Sequence, residues 1–518
     1  MKKYILIALT ALTVSSCFNQ KENLPTPNSD VGVIIPAAER DKIILDYVEN
    51  KGEFRWEWAS DEMLWSAIAD VDNDKSLVIG YQPEGFENIN TRMHEIDVKS
   101  AAWVQAKENL IATIQQAYEK IGLTRTRDEI VRQEHDVLPF FKVKIESIVA
   151  ITAVRKSANI RYADPASYYL GIEGGGAGNR TAALGCGSSG SSVPGSDYTR
   201  ISPDNAVVSW HLQKNGISQA WGISGKGRNI NIGLIDTGTS PNQSKLGSQF
   251  NRGQSNVGRV LKRYGTFAPR TWKFWQKRKI DDPNDDCGHG TSMSGLAAAP
   301  RTGDGTATGV AYQSNFYAVR GTNDVVLNAW DEQDGVSDAL VLLANKNTHI
   351  ISMSLGNLWW VGQIADAVRY AHGKGKLIFS AAGTSFNWGT RIVGVIFPAT
   401  MSETVAVTGI KDNGYNNCSN CHYGSKVDFT VVMQRASSSS RNALTLPMSG
   451  NSLTSVGGSS AATATMAGIA ALIWSTNPSM SRSTVLQKMK SASAFYPGRN
   501  SNFGWGSVNV YQAVQSAQ

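Results

Sequence analysis

The chain has 518 residues, of which 41% are hydrophobic and 18% charged, and it contains 49 glycines. This composition is typical of a globular protein with many turns, and the length allows two or three domains. The net charge of +7 is modest for this length and does not indicate a nucleic-acid partner. One basic run, residues 270–279, is interleaved with aromatic residues; we interpret it as a solvated surface loop rather than a segment that binds nucleic acid or an anionic surface.

The first 17 residues predict a targeting segment. Two lysines precede an apolar run that is too short for a transmembrane helix. The run ends in Val14-Ser15-Ser16-Cys17, which resembles the bacterial lipoprotein signal, in which the cysteine is lipidated and becomes the first mature residue. A plain cleaved secretory signal is the alternative, and both place the mature protein outside the cytoplasm. Residues 18–38 are polar, contain three prolines and are predicted to be a tether.

Residues 39–165 are predicted to form a separate, smaller α+β domain. Residues 166–200 are rich in Gly and Ser, which is typical of an exposed linker that is easily cut. The elements predicted in the smaller domain are a helix, a strand, a short helix and an edge strand, at residues 97–118, 138–145, 147–157 and 160–165.

Residues 201–518 alternate strand and helix patterns, which predicts a parallel sheet wrapped by helices. Residues 229–238 read as a buried strand that ends in Asp236, and residues 286–295 place His289 at the start of a small-residue helix. Residues 457–468 are a Gly-Ser turn that leads into a second such helix. A serine at the head of a helix lies beside free backbone N–H groups, which suits a nucleophile whose attack creates an oxyanion. On this stretch alone, a helix-capping serine is the structural alternative.

These three stretches resemble, in the same order, the motifs of the subtilases, the subtilisin-like serine proteases. The family motifs read roughly D-T-G, G-H-G-T and G-T-S-x-A-[ST]-P; the chain has D-T-G at Asp236, G-H-G-T at His289 and G-S-S-A-A-T-A at Ser460. The resemblance runs through nearly all of residues 201–518 and implies an α/β subtilisin-like fold with an Asp-His-Ser triad. In that triad His289 is the base, Asp236 orients it and Ser460 is the nucleophile.

Ser460 rather than Ser459 matches the family's nucleophile. The family helix continues with an Ala-Gly pair seven and eight residues after that serine, and Ala467-Gly468 fits this offset from Ser460. Ser459 then stands where the family usually has threonine. Ala464 stands where the family has proline, which removes a rigid element of the first turn but no catalytic group.

The resemblance also implies an oxyanion hole and a substrate-binding edge. The backbone N–H of Ser460 is one expected oxyanion donor, and Thr384 occupies the place of the family's asparagine, with Asn387 as an alternative donor. An extended substrate is expected to add as a strand along residues 352–356. Trp359 and Trp360 follow that segment and either line a subsite or pack in the core. The substrate-binding residues expected from the resemblance are Ser354, Leu355, Gly356 and Gly383.

Four cysteines remain after Cys17, and in an oxidising compartment they can form two disulfides whose pairing the sequence leaves open. Residues 418–422 spell C-x-x-C-H, which is also the pattern of c-type haem attachment, but a disulfide is the favoured interpretation. No metal or cofactor is predicted to be required. Structural calcium is common in the family, and Asp304 lies in a loop after the His289 helix, although no EF-hand spacing is present.

Residues 138–165 resemble the end of the subtilase propeptide, which inhibits and chaperones the protease; an accessory domain is the alternative. The combined prediction is a monomeric, exported, lipid-anchored endopeptidase of the cell envelope, periplasmic or surface-exposed, made as a zymogen and acting on proteins or peptides. Two other functions remain open. One is a degenerate subtilase that binds a peptide or partner, and the other is a peptide maturase or transpeptidase.

Overall fold

The computed structural model describes residues 33–70, 74–171, 186–187, 193–268, 282–385 and 394–518. The predicted signal with Cys17, the basic run at 270–279, Asn387 and most of the predicted linker lie outside the described residues. Within the described ranges, no helix is long and apolar enough to cross a membrane.

The N-terminal α+β region, residues 33–70 and 74–171, is built on an antiparallel sheet of four strands. Their order is β2-β3-β1-β4, so the last strand lies at an edge, as the sequence predicts. The predicted helix at 97–118 begins only at Ala101, because Asp97 first forms a turn that accepts hydrogen bonds from Lys99 and Ser100. The elements are α1 (Ala37–Lys51), α2 (Asp61–Ala69), β1 (Ser76–Tyr81), α3 (Ile89–Arg92), α4 (Ala101–Glu119), α5 (Arg127–Ile130), β2 (Val131–Glu134), β3 (Phe140–Lys144), α6 (Ile148–Arg155) and β4 (Ile160–Pro165).

The larger unit begins at residue 193 and contains the remaining strands and most of the helices that surround them. Its elements are β5 (Tyr198–Ile201), β6 (Ala206–Ser209), α7 (Trp210–Lys214), α8 (Ile217–Ala220), β7 (Asn231–Asp236), β8 (Leu261–Gly265), α9 (His289–Ala298), β9 (Asn315–Arg320), α10 (Trp330–Ala344), β10 (Ile350–Met353), α11 (Gly362–Gly373), β11 (Leu377–Ala381), β12 (Val405–Lys411), β13 (Phe429–Gln434), β14 (Ala443–Thr445), β15 (Thr454–Val456), α12 (Gly458–Thr476), α13 (Arg482–Ser491) and α14 (Val510–Gln515).

Seven strands of the larger unit form one sheet in the order β13-β12-β11-β10-β7-β9-β8, and every pairing in it is parallel. This confirms the predicted parallel sheet wrapped by helices. Strand β7 lies between β10 and β9, with Ile350 opposite Ile232 and Phe316 on the other side of Ile232. Because the carboxyl ends of parallel strands meet at one edge, Asp236 at the end of β7 lies where such sheets bind ligands.

Helix α12 runs through the core of the larger unit. Every residue from Ser459 to Ser475 is buried, which its composition of small and aliphatic residues permits. Helix α12 also lies close to the segment that follows α9, because a Cβ at Gly468 would lie 2.5 Å from the Cβ of Val310. Glycine is therefore required for this approach, and the approach fixes the axial position of the helix that carries Ser460.

The N-terminal region packs directly on helices α10 and α11, and one hydrophobic core continues from its sheet into both helices. Arg161 of β4 makes two hydrogen bonds of 2.7 Å to the fully buried carboxylate of Asp366 in α11. Asp164, which also lies in β4, accepts a hydrogen bond of 2.8 Å from the backbone N–H of Gly362. The docking surface therefore combines apolar burial with a buried ion pair.

Candidate active site

Asp236 and His289 lie side by side at the carboxyl edge of the sheet. Asp236 ends β7 and His289 is the first residue of α9. The Nδ1 atom of His289 lies 2.7 Å from Oδ1 of Asp236, and the same oxygen accepts the backbone N–H of Thr237 at 2.8 Å. With Nδ1 bound to the carboxylate, Nε2 is the ring nitrogen that remains to exchange a proton with another group.

The loop before His289 is organised by the buried carboxylate of Asp285, which sequence analysis missed. The capping preference gave no signal for it, because the N-cap of α9 is Gly288 and Asp285 lies three residues before that position. Five groups donate hydrogen bonds of 2.5–2.9 Å to this carboxylate: the Thr237 hydroxyl, the backbone N–H groups of Cys287 and Gly288, and the backbone N–H and hydroxyl of Thr291. Because these donors come from both segments, the carboxylate fixes the turn after β7 and the start of α9.

The charges around His289 are predominantly negative. Burial alone would lower the pKa of His289, but attraction to Asp236 and the hydrogen bond with it act in the opposite direction. Asp285 and Asp324 add to this attraction, and the net effect raises the pKa of His289 above its ordinary value. The neutral imidazole, which is the form that accepts a proton, is therefore favoured only at a higher pH than for an ordinary histidine.

Ser460 lies in the first turn of α12, as the sequence predicts. Its hydroxyl lies 3.4 Å from the carbonyl oxygen of Ser354, and Ser354 in turn donates a hydrogen bond of 3.0 Å to the carbonyl of Ser460. The hydrogen bonds of the described residues do not include one between Ser460 and His289. Both residues nevertheless line the same cavity of about 410 Å³, and such bonds are often loose before substrate binds.

A second, smaller cavity also adjoins Ser460. It is largely apolar and encloses about 30 Å³. Thr384 and Ser460 both line this cavity and the larger one. The small cavity is lined by the residues predicted for substrate binding and by two predicted for the oxyanion hole: Ser354, Leu355, Gly356, Gly383, Thr384 and Ser460.

The edge on which we expected a substrate strand is not free in this structure. The backbone N–H of Gly356 donates to the carbonyl of Val325 at 3.0 Å, and the Gly356 carbonyl accepts the N–H of Leu327 at 3.1 Å. Val326 thus pairs with Gly356 as a parallel neighbour, and Val325 and Val326 also line the small cavity. A peptide can pair with Gly356 only after residues 325–327 leave it.

Trp359 and Trp360 do not line either of these cavities. Trp359 is buried with its ring 5.5 Å from that of Tyr168, and the Arg55 guanidinium lies 3.9 Å from the ring centre of Trp360. Both tryptophans therefore contact the N-terminal region. Of the two alternatives, Trp359 packs in the core and does not line a subsite in these cavities.

The cysteines pair as Cys186–Cys287 and Cys418–Cys421. The second pair occupies both cysteines of the C-x-x-C-H motif, so they are not available for haem attachment in this structure. Its loop supports the segment around Thr384, because His422 N–H donates to the Gly383 carbonyl and Ser385 N–H donates to the Asn420 carbonyl, both at 2.9 Å. Burial lowers the pKa of His422 to about 4, so its imidazole is neutral at physiological pH.

The loop of Asp304 does not fit a calcium site. The ammonium group of the fully buried Lys245 forms an ion pair with the Asp304 carboxylate, which also accepts the hydroxyls of Thr302 and Thr306. A cation of the protein itself therefore fills the position that a calcium ion would need. Among the described residues, no group of three or more His, Cys, Asp or Glu side chains is placed to hold a metal ion.

The contribution of Asp324 to the charge at His289 is open to test. Asp324→Asn should lower the pKa of His289, because it removes a negative charge while its side-chain oxygen still accepts the Val326 N–H, as Asp324 does at 2.8 Å. The His289 ring is titrated by NMR in both proteins. Asp412→Asn, a carboxylate paired with Arg435, is the matched control and should leave the titration unchanged. An unchanged or higher pKa in Asp324→Asn would contradict this electrostatic account.

Comparison with known proteins agrees with this geometry. The model of the subtilase family matches residues 227–506, slightly more than half of the chain. Thermitase of Thermoactinomyces vulgaris is 28% identical over 318 residues, which cover 61% of this chain and all of thermitase. Alkaline elastase YaB of Bacillus sp. (strain YaB) is 30% identical over 317 residues, 60% of this chain and 71% of the elastase.

A solved structure also shares the fold. Fervidolysin from Fervidobacterium pennivorans, described as a keratinolytic enzyme related to subtilisin, superposes with a TM-score of 0.58 at 15% identity. The match covers 85% of this chain and 61% of the fervidolysin structure, and at this identity it establishes the fold alone. Taken with the family match and the two sequence relatives, the chain belongs to the subtilase family of serine proteases.

Proposed function

We propose that the protein is an endopeptidase that cleaves peptide bonds through Asp236, His289 and Ser460. The observation that carries the proposal is the buried hydrogen bond of 2.7 Å between Asp236 and His289. His289 lines the same cavity as Ser460, which lies in the first turn of α12. A serine hydroxyl is a weak nucleophile at neutral pH and needs an adjacent base. His289 is the one histidine of this cavity, within the described residues, and its free Nε2 supplies that base.

The proposed reaction uses these three residues in turn. Ser460 Oγ attacks the carbonyl carbon of the scissile bond while its proton passes to Nε2 of His289. Asp236 stabilises the imidazolium, and the backbone N–H of Ser460 with the Thr384 hydroxyl bind the negative oxygen. The C–N bond then breaks and the amine leaves with the proton from His289. Water adds to the acyl-enzyme by the same route, releasing the acid and restoring Ser460.

The two alternative functions differ in the chemistry they require. A protein that only binds peptides does not need the Asp236–His289 hydrogen bond, and this bond favours catalysis. A transpeptidase resolves the same acyl-enzyme with an amine instead of water, so the triad does not separate it from a hydrolase. Product masses do, because ligation joins two peptides and hydrolysis adds one water.

We propose further that the chain is made as a zymogen in which the N-terminal region holds the cleft closed. Residues 325–327 occupy the edge at Gly356, and the N-terminal region binds the chain directly after them. The N–H of Tyr168 donates to the carbonyl of Asn328 at 2.9 Å, and the hydroxyl of Ser167 accepts the N–H of Trp330 at 3.0 Å. Removing the N-terminal region would release both contacts and allow residues 325–327 to move away from Gly356.

Ser460→Ala tests the nucleophile and self-maturation together. Hydrolysis of a denatured protein should fall by about 10⁶, the loss that a subtilisin suffers on removal of its nucleophile. The variant should also accumulate as one uncut chain, whereas the wild type is cut between about residues 162 and 201. Reducing gels are required because Cys186 pairs with Cys287, so a cut after Cys186 leaves the two pieces joined.

Two results would contradict parts of this proposal. If the variant is cut at the same position in a host lacking other proteases, maturation is not autocatalytic. If the wild type hydrolyses peptides without ever being cut, the N-terminal region is an accessory domain and not an inhibitor.

Hydrogen exchange tests the closed cleft. In intact Ser460→Ala protein the amides of Gly356 and Leu327 should exchange slowly, because both donate hydrogen bonds that join residues 325–327 to Gly356. In wild type that has matured and been inactivated with a serine-directed reagent, both should exchange at least about tenfold faster. The amide of Ile351, within the central sheet, is the control and should stay protected. Equal protection of Gly356 and Leu327 in the matured protein, once that protein has been shown to be active before inactivation, would show that residues 325–327 are no barrier.

We also propose export with lipid anchoring through Cys17, supported by the short apolar run that ends in Val14-Ser15-Ser16-Cys17. Cys17→Ser should abolish incorporation of a fatty-acid analogue in cells. Cys186→Ser, which leaves the signal unchanged, is the control and should retain the label. Equal labelling of the Cys17→Ser and wild-type proteins would refute the lipoprotein assignment and leave the plain secretory signal.

A further inference from the structure

Two hydroxyl groups meet where the family usually has the pair threonine and asparagine. Oγ of Ser459 and Oγ1 of Thr384 lie 2.9 Å apart and share one hydrogen bond. Thr384 Oγ1 also accepts the backbone N–H of Ser459 at 3.1 Å, and Ser459 Oγ accepts the backbone N–H of Gly383 at 3.2 Å. Two hydrogen bonds thus connect Ser459 to Thr384, and a third connects Ser459 to Gly383, so the head of α12 is bonded to the segment after β11.

The close approach depends on the glycine before Ser459. Gly458 has a φ of 83°, in the left-handed region, and a Cβ at this position would lie 3.0 Å from Thr384 Oγ1. A glycine therefore lets the first turn of α12 sit against Thr384 without pushing the hydroxyl away.

The burial of the two groups determines which hydroxyl donates. Ser459 is 1% exposed, so its proton has no solvent to bond with and needs a protein acceptor, because an unsatisfied buried donor is costly. Thr384 is half-buried and borders both cavities beside Ser460. The arrangement that satisfies both residues has Ser459 donating to Thr384, whose oxygen then accepts two hydrogen bonds and keeps its own proton for the cavity.

We infer that Ser459 is a positioning residue of the oxyanion hole: it fills both acceptor positions of Thr384 Oγ1 and thereby directs the Thr384 proton toward the oxyanion formed at Ser460. An asparagine amide carries its donor protons in a fixed plane, whereas a threonine proton rotates freely about the C–O bond. Ser459 supplies the orientation that the shorter side chain lacks. This inference rests on the proposed function, since it assumes attack by Ser460.

The test is a double-mutant cycle on the matured enzyme with a chromogenic peptide substrate. Thr384→Val, which removes the donor, should lower kcat by about 10²–10³ with KM little changed. Ser459→Ala should lower kcat by roughly tenfold or more, because Thr384 keeps its proton but loses its orientation. In the double variant kcat should be no lower than in Thr384→Val alone, since the two residues act as one unit. Ser459→Thr, which retains a hydroxyl, should restore turnover.

Two further measurements separate positioning from a merely structural role. A peptide boronic acid, which forms a tetrahedral adduct on the serine, should lose affinity in Ser459→Ala by the same factor as kcat/KM, because only the tetrahedral state uses the oxyanion hole. Thr465→Val is the matched control, since Thr465 is buried in the same helix and its hydroxyl has no hydrogen-bond partner among the described residues. It should keep kcat within about twofold.

Each other result overturns the inference. Wild-type kcat in Ser459→Ala shows that Thr384 needs no orientation. Additive losses in the cycle show that the two residues act independently, and a loss in Ser459→Ala matched by Thr465→Val shows a packing effect. Failure of the proposed function is separately visible, because Ser460→Ala would then retain hydrolysis.

Discussion

The structure depends on the burial of one helix of small residues in the centre of the larger unit. Helix α12 lies against the sheet and against α9, and only small side chains such as Gly468 allow this distance. The buried contacts fix the helix along its axis and therefore fix its first turn. The backbone N–H groups at that turn have no acceptors within the helix; the one of Ser459 donates to Thr384, and the one of Ser460 is the donor proposed for the negative oxygen. Packing far from the reaction thus sets the position of the reacting group.

Much of the fold and several site residues could be predicted from the sequence because the relevant signals are local. The run 229–238 is apolar and ends in Asp-Thr-Gly, so its strand and turn follow from neighbouring residues. The small-residue stretches after His289 and Ser460 likewise specify helices that tolerate close packing. The same local reading located the edge strand β4, which ends at Pro165 and leaves no further backbone donor at that residue.

The remaining features involve residues far apart in the chain. Asp285 gathers donors from the turn after β7, and Ser459 pairs with Thr384, seventy-five positions away. Sequence patterns specify which face of a helix or strand is buried, but they do not specify which loops meet at its end. The pairing of Val326 with Gly356 is a further example, because the segment around residue 326 has no strand-like alternation and takes its conformation from its neighbour. The Cys186–Cys287 pairing, with a sequence separation of 101, was open for the same reason.

The Cys186–Cys287 bond links a point in the predicted linker to the loop that precedes His289, and it closes a loop with a sequence separation of 101. By the chain-entropy model, such a closure removes roughly 4–5 kcal/mol of disorder from the unfolded chain. Thiols stay reduced in the bacterial cytosol and pair outside it. If the chain is exported as proposed, the loop that carries the catalytic base receives this covalent restraint only after export. A protease assembled in this order is least stable in the compartment where its activity would harm the cell that makes it.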